Sequence, residues 1–326
     1  MADRAAEPVA ERVAEPAAER PRTAALLLNW RKPQLTLTCL ADLLAADVPL
    51  VVLVIDNGSD DDSAAILRDG TAALAAADPR HEVVFVALPE NLGFTGGMNH
   101  GLREAAARGL PYALVLNNDL RLPPDFLRPL VSVLDHDPRV VAVGPTVLHP
   151  DGTVWAEGGE LAFGPNALRL RRHGKPPQPR DQGPAAVPFL PGACVLLRTD
   201  AAAAVGGFDE RYFMYWEDVD LCDRLAERGG RIVWLPWVRV VHDAGKSSGG
   251  GRSPLRKFLM ANNSVRYLRR RRSVAGWTAL VVFDLLLWPL TLASGPRAAF
   301  AKLRGLWSGL AGYRAGAADV RRYLPG

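Results

Sequence analysis

Four short, unbroken apolar runs punctuate the first 120 residues, and each leads into polar residues. Ala24 to Leu28 stops at Asn29, Leu50 to Ile55 stops at Asp56, Val83 to Leu88 runs toward Asn91, and Tyr112 to Leu116 meets Asn117-Asn118-Asp119. Apolar runs of this length without alternation are strands buried on both faces, as in a parallel sheet. Between the first two, residues 34–46 carry Leu35, Leu40, Leu43 and Leu44 for the inner face of a helix, and Ser63 to Ala77 also reads as helix. The alternation predicts an α/β fold whose sheet is mostly parallel and flanked by helices. Ligands of such sheets sit beyond the carboxyl ends of the strands. Those ends are where Asn29, Asp56, Asn91 and Asn117 to Asp119 fall.

The second half is less regular. Residues 149–188 are rich in Gly, Pro and Arg and predict a long connection with short strands, after which Phe189 to Arg198 returns to an apolar strand. Tyr212 to Asp220 leads into a helix that Gly229 can terminate. Arg231 to Leu235 and Val238 to Val241 read as two strands, closed by His242. Further on, a basic run from Arg266 to Arg272 precedes the apolar stretch Val274 to Ala293, which Asp284 and Pro289 interrupt. An Asp at the centre of a span costs about 2.5–3.5 kcal/mol on insertion scales. Arg297, Lys302, Arg304 and Arg314 then alternate with Leu303, Leu306, Trp307 and Leu310, as on an interfacial amphipathic helix. The expectation is docking on a membrane surface rather than crossing. The plainer alternative is a helical pair packed on the main domain or on a second subunit.

Composition narrows the picture. Of 326 residues, 48% are hydrophobic and 23% charged, which excludes wholesale disorder. The formal net charge of +4 is mild and lends no support to a nucleic-acid partner. Cys39, Cys194 and Cys222 have no C-x-x-C spacing, which argues against a zinc site or a disulfide framework and fits a reducing compartment. Residues 1–22 are Ala, Glu, Arg and Pro without an apolar core, so they predict a disordered tail and no signal peptide.

The candidate chemistry lies at the polar ends and in one acidic cluster. Asn117-Asn118-Asp119 offers hard oxygen ligands for a divalent cation at the sheet rim, although Asx-rich turns after strands are common. Glu217, Asp218 and Asp220 follow Tyr215 and Trp216. An acidic first turn complementing the helix dipole, with Asp220 paired to Arg224, accounts for Asp220 well. It explains the preceding aromatics less well, and these suit a sugar-binding cleft. Asn91 to Gly101 is a glycine-rich entry to a helix, where backbone can approach an anion, but it matches neither the dinucleotide fingerprint nor the P-loop. His242, after a strand, is either structural or a neutral-imidazole ligand.

Taken in order, these segments resemble the family-2 glycosyltransferases of GT-A fold, nearest their bacterial rhamnosyltransferase-like branch. The segments are Ile55-Asp56-Asn57-Gly58-Ser59, Asn91-x-Gly93-Phe94-x-Gly96-Gly97-x-Asn99-x-Gly101, Leu116-Asn117-Asn118-Asp119, Gly207-Phe208-Asp209-Glu210, Glu217-Asp218-x-Asp220-Leu221 and Val241-His242-x-x-Gly245. The match runs from Ala24 to Ser248. It implies an inverting, metal-dependent transfer of a sugar from a nucleotide diphosphate (dTDP- or UDP-linked, with L-rhamnose from dTDP-rhamnose as the branch's suggestion) to a cell-envelope or lipid-linked glycan. Asp56 would contact the base with Asn29 and Asn57 near it. Asn91, Gly93, Gly97, Asn99, Asn117 and Asn118 would complete the nucleotide-sugar site. Asp119 stands at the metal-binding acid of the family's DxD-type motif, where this chain has Asn117 in place of the first Asp. His242 matches the later metal- or diphosphate-contacting histidine, so Mg²⁺ or Mn²⁺ would be the cofactor. Asp218 matches the catalytic base, with Trp216 and Glu217 toward the acceptor, while residues 206–210 shape the acceptor loop.

The implied organisation is a nucleotide-sugar half over 23–148, an acceptor half over 149–250 and a basic, apolar helical extension over 251–326. The implied location is cytoplasmic, on the inner face of the plasma membrane. A nucleotidyltransferase would place a glycine-rich loop after the first strand, but Asn29-Trp30-Arg31-Lys32-Pro33 has no glycine. A glycosidase also uses two carboxylates, without need of nucleotide-facing strand ends. A catalytically dead nucleotide- or glycan-binding scaffold at a membrane is disfavoured by the joint presence of Asp119, Asp218 and His242.

Overall fold

The computed structural model describes residues 20–162, 164, 167–243 and 253–323. All but three residues of the expected tail, together with Gly245, Ser247 and Ser248, lie outside them. The elements are β1 (Thr23–Asn29), α1 (Pro33–Leu44), β2 (Leu50–Asp56), α2 (Ser63–Ala77), β3 (Glu82–Ala87), α3 (Gly93–Ala107), β4 (Tyr112–Leu116) and β5 (Leu120–Arg121). They continue with α4 (Leu127–His136), β6 (Val140–Leu148), β7 (Val154–Ala156), β8 (Gly159–Leu161), β9 (Leu168–Leu170), β10 (Ala185–Ala186), β11 (Cys194–Arg198), α5 (Thr199–Ala204), α6 (Glu217–Glu227) and β12 (Arg231–His242). The C-terminal part holds α7 (Pro254–Arg271), α8 (Val274–Ala279), α9 (Pro296–Leu310) and α10 (Ala317–Tyr323).

The main sheet runs β10-β12-β6-β11-β4-β1-β2-β3, with β5 added on β12 and β7 on β6. β4, β1, β2 and β3 are mutually parallel, as the continuous apolar runs require. β11 enters antiparallel between β4 and β6, and so joins the two halves. Alternate residues of one strand feed different cores. Leu26, Leu53 and Ile55 pack with Met98, Phe208 and Trp216 on one face, whereas Leu27, Val52 and Val54 pack with Leu40, Leu43 and Leu130 on the other. Both faces are therefore dry, and only polar groups beyond the strand ends stay available.

The two strands expected over 231–241 are one, β12. Its pairing with β6 shifts register between Leu235 and Arg239. Pro236 falls in that gap, where a residue without an N–H would break the ladder.

The C-terminal helices belong to the same core. Ala261, Val265, Leu268 and Leu306 pack in the cluster that holds Leu26 and Trp216. α7 and α9 approach closely because Gly305 and Gly309 lack side chains, and a Cβ on Gly305 would lie 2.3 Å from the Phe258 carbonyl oxygen. Asp284, the charge within the apolar stretch, pairs with Lys302 of α9 at 2.6 Å, and the Trp288 indole donates to the Ala299 carbonyl at 2.9 Å. The stretch therefore folds back on α9. Among the described residues no helix is long and apolar enough to cross a membrane. Much of the basic run is also engaged internally. Arg270 pairs with Asp220, Asp223 and Glu227, and Arg271 pairs with Asp223 and Glu227. Arg266 and Arg269 donate to the Tyr313 and Leu310 carbonyls.

Candidate functional site

Register sets the first wall. Asn29 and Asp56 are the last residues of β1 and β2 and lie side by side. The Asn29 amide donates to Asp56 Oδ1 at 2.7 Å, and both side chains are buried. Asp56 also accepts from the Ser59 hydroxyl (2.7 Å) and the Ser59 N–H (3.0 Å). Asn29 Oδ1 accepts from Thr36 Oγ1 at 2.8 Å, and Thr36 in turn accepts from the Asn118 amide at 2.8 Å. One buried polar chain thus links β2, β1, α1 and the turn after β4. Thr36 and Ser59, which the sequence reading did not single out as binding residues, are its couplers. A buried hydroxyl at a helix position facing polar strand ends was the available signal.

The glycine-rich segment and Asn57 are held by a set of internal turn contacts. The Asn57 amide donates to Asn91 Oδ1 (3.1 Å) and the Gly93 carbonyl (3.0 Å), while Asn57 Oδ1 accepts from Leu92 N at 3.0 Å. Gly93 has φ +73, and a Cβ there would lie 2.5 Å from the Phe213 ring. Gly97 faces Leu28 of β1, which lets α3 lie close on the sheet. Asn99 accepts from Phe208 N and donates to the Phe208 carbonyl, both at 2.8 Å, and so clamps the turn after α5. Asn57, Asn91, Gly93, Gly97 and Asn99 are engaged in shaping these turns.

On the other side of β4, the pairing of Leu120 with His242 brings the acid and the imidazole together. Asp119 Oδ1 lies 2.9 Å from His242 Nε2, both residues are buried, and the Asn117 amide is 3.3 Å from the same nitrogen. His242 Nδ1 has no hydrogen-bond partner among the described residues, and its ring packs edge-on against Trp155 at 4.7 Å. A carboxylate and an imidazole at this separation fit two positions around a divalent cation. Among the described residues no cluster of three His, Cys, Asp or Glu side chains completes such a site.

Asp218 opens α6. Its Oδ2 accepts from Gly192 N at 3.0 Å and its Oδ1 from Val219 N at 2.8 Å. Burial raises its pKa while those N–H groups lower it, with burial ahead. Glu217 is held well above the ordinary carboxylate range, first by burial and then by the charge of Asp218. Both carboxyls of the pair thus sit above their ordinary range, Glu217 the further of the two. Gly192, missed in the sequence, joins the two halves of the site. Its N–H holds Asp218, and the next carbonyl, of Ala193, accepts from Asn117 N at 2.9 Å.

Trp216 and Glu217, expected toward the acceptor, are turned into the core. The Trp216 ring stacks on Tyr267 at 5.1 Å, and Glu217 is 6% exposed. Asp220 pairs with Arg224 at 2.7 Å, the i,i+4 bond that the plainer reading expects.

This architecture, a mixed sheet with polar groups gathered past the ends of its parallel strands, is of the GT-A type. A mannosyltransferase of Pyrobaculum calidifontis, solved with GDP-Man and Mn²⁺, superposes with a TM-score of 0.55 over 94% of this chain and 82% of that one, at 19% identity. The profile of glycosyl transferase family 2 matches residues 29–206, and the chain belongs to that family. An N-acetylglucosaminyl-diphospho-decaprenol L-rhamnosyltransferase of Mycobacterium tuberculosis is 32% identical over 256 residues, covering 72% of this chain and 78% of the relative. Rhamnosyltransferase WbbL of Escherichia coli is 35% identical over 86 residues, covering 26% of this chain and 32% of that protein. Asp218 and His242 lie beyond the residues that the family profile matches.

Proposed function

We propose that this glycosyltransferase moves L-rhamnose from dTDP-rhamnose, with inversion, to a hydroxyl of a lipid-linked glycan at the inner face of the plasma membrane. The observation that carries the reading is the two-residue link Gly192-Ala193, which ties the Asp218 carboxylate to the Asn117–Asp119 turn. A proton acceptor and a carboxylate–imidazole pair thus flank one short segment at the rim of the sheet. Support for the donor sugar and the lipid-linked acceptor comes from the Mycobacterium relative, which spans most of this chain.

In this reading the acceptor hydroxyl attacks the anomeric carbon, its proton passes to Asp218, and the bond to the nucleoside diphosphate breaks. Asp119 and His242 would hold Mg²⁺ or Mn²⁺, which supplies charge neutralisation for the departing diphosphate. Asn29, Asp56, Asn117 and Asn118 would face the nucleotide. Asn57, Asn91, Gly93, Gly97 and Asn99 support that site by fixing its turns, and Trp216 and Glu217 by fixing the base.

The test is incubation with dTDP-rhamnose, Mg²⁺ or Mn²⁺ and a polyprenyl-diphosphate-linked N-acetylglucosamine, following dTDP release and product mass. Acceptor-dependent dTDP release that stops in excess chelator is expected, and Asp119→Ala should weaken donor binding. Transfer at full rate in chelator removes the metal from the mechanism. No turnover with dTDP-rhamnose but turnover with another sugar nucleotide overturns the donor.

A further inference from the structure

We propose that Asn263, in α7, is a positioning residue that holds the loop ahead of Asp218 in its working shape. The inference rests on the reading of Asp218 as the base. Phe213, Tyr215 and Trp216 have φ of 61°, 71° and 72°. Residues with side chains disfavour this left-handed region. Such conformations persist only where the surroundings over-determine them.

Asn263 supplies that constraint. Its side chain is fully buried, and Nδ2 donates to the carbonyls of Tyr212 (2.8 Å), Met214 (2.9 Å) and Tyr215 (2.9 Å). An amide carries two N–H donors, so one bond is shared. From the opposite side, Thr95 N in α3 donates to the Phe213 carbonyl at 3.2 Å. Successive carbonyls of the loop are thus gripped from two helices. The loop passes its geometry on directly, because the Trp216 carbonyl accepts from Asp220 N at 2.9 Å in the first turn of α6. Asp218 lies between those two residues. Neighbours of Asn263 along α7 hold the same helix: Tyr267 stacks on Trp216, and Arg270 pairs with Asp220 at 2.9 Å. An asparagine present only to fill space would have no need of three carbonyl partners.

The experiment uses the full chain, with Asn263→Ala and Asp218→Asn assayed in parallel for kcat, donor KM and the pH profile of kcat, each normalised to folded protein by circular dichroism. For Asn263→Ala, kcat should fall roughly 10–100-fold, as expected for a displaced catalytic group, with donor KM within about twofold and a displaced acid limb. Adding Tyr215→Gly should recover part of the lost kcat, because glycine enters the left-handed region without steric cost. A lowered melting temperature with parental kcat per folded molecule and no rescue overturns the proposal. If the alanine variant does not fold, Asn263→Ser retains a single donor on a shorter stem. A folded serine variant with lowered kcat and unchanged donor KM supports the proposal, and parental kcat overturns it. The parallel variant separates the two readings. Parental turnover in Asp218→Asn sinks the base assignment itself, whereas loss there beside normal turnover in Asn263→Ala sinks only the positioning role.

Discussion

As the proposed base, Asp218 meets two demands, since burial raises its proton affinity while two backbone N–H groups keep its charged form bound in one orientation. General base catalysis typically contributes about 10²–10⁴-fold to rate. Asp218→Asn should therefore lose at least that order in kcat while its donor affinity, measured by calorimetry with Mg²⁺, stays within a few-fold of parental. Transfer near the parental rate would mean that the hydroxyl proton goes elsewhere. The neighbouring Glu217 makes a separate prediction about stability. Its folded pKa lies above its unfolded value, so the native state binds the proton more tightly. The resulting penalty is absent below the ordinary carboxylate pKa of about 4.3, grows as pH rises through the window toward the raised value, and is complete above it. Each unit of elevation costs about 1.4 kcal/mol. Glu217→Gln removes the titration, so its melting temperature relative to the parent should be more favourable at pH 8 than at pH 4.5. A difference independent of pH would show that Glu217 does not titrate between those values.

At the scale of elements, α3 depends on the turn that starts it. Gly93→Ala places a methyl against the Phe213 ring and carbonyl at a positive φ. The variant should lose about 2 kcal/mol or more of stability, read as a melting point lowered by about 3 °C or more. An unchanged melting point would mean that the turn re-forms with φ below zero. Gly93 was legible in the sequence as a residue of consequence, but its partner was not, because Phe213 lies far along the chain. The same division runs through the molecule. Ser63 to Ala77 and Tyr112 to Leu116 have the bounds that their patterns predict. Local periodicity and buried apolar runs carry that information. The polar strand ends were legible too, because each continuous apolar run stops at them. Contacts from a side chain to distant backbone leave no periodic trace. The bond of Gly192 to Asp218, the grip of Asn263 on Tyr212 to Tyr215, and the clamp of Asn99 on Phe208 are of this kind. A glycine needed for close helix–sheet approach, as at Gly97, also looks the same in sequence as one that cradles a phosphate.

For the whole molecule, the distribution of exposed apolar surface is uneven. Val274 is 80% exposed, Leu286 68%, Leu290 71%, Phe300 58% and Trp307 65%, and all five lie in the C-terminal helices. Large apolar side chains exposed in one part of the chain point to an interaction surface where they adjoin one another. The lipid-linked acceptor proposed above would make a membrane the fitting partner, because docking there would bring acceptor and transferase together. The balance of forces differs from that suggested by the arginine run alone. Arg270 and Arg271 are bonded to Asp223 and Glu227, which leaves less charge for anionic headgroups. Insertion of apolar side chains should therefore dominate over electrostatic attraction. The protein is expected to float with liposomes containing anionic lipid, and high salt, which shortens the reach of the remaining arginines, should release only part of it. Burying a Leu side chain contributes about 1.5–3 kcal/mol, so Leu286→Ser and Leu290→Ser should each weaken liposome partitioning about tenfold or more. Because both side chains face solvent, the melting temperature of the free protein should hardly move. A protein that ignores liposomes and instead runs as a dimer, with the same substitutions returning it to monomer, would show that these helices cover a second copy of the chain and not a lipid surface.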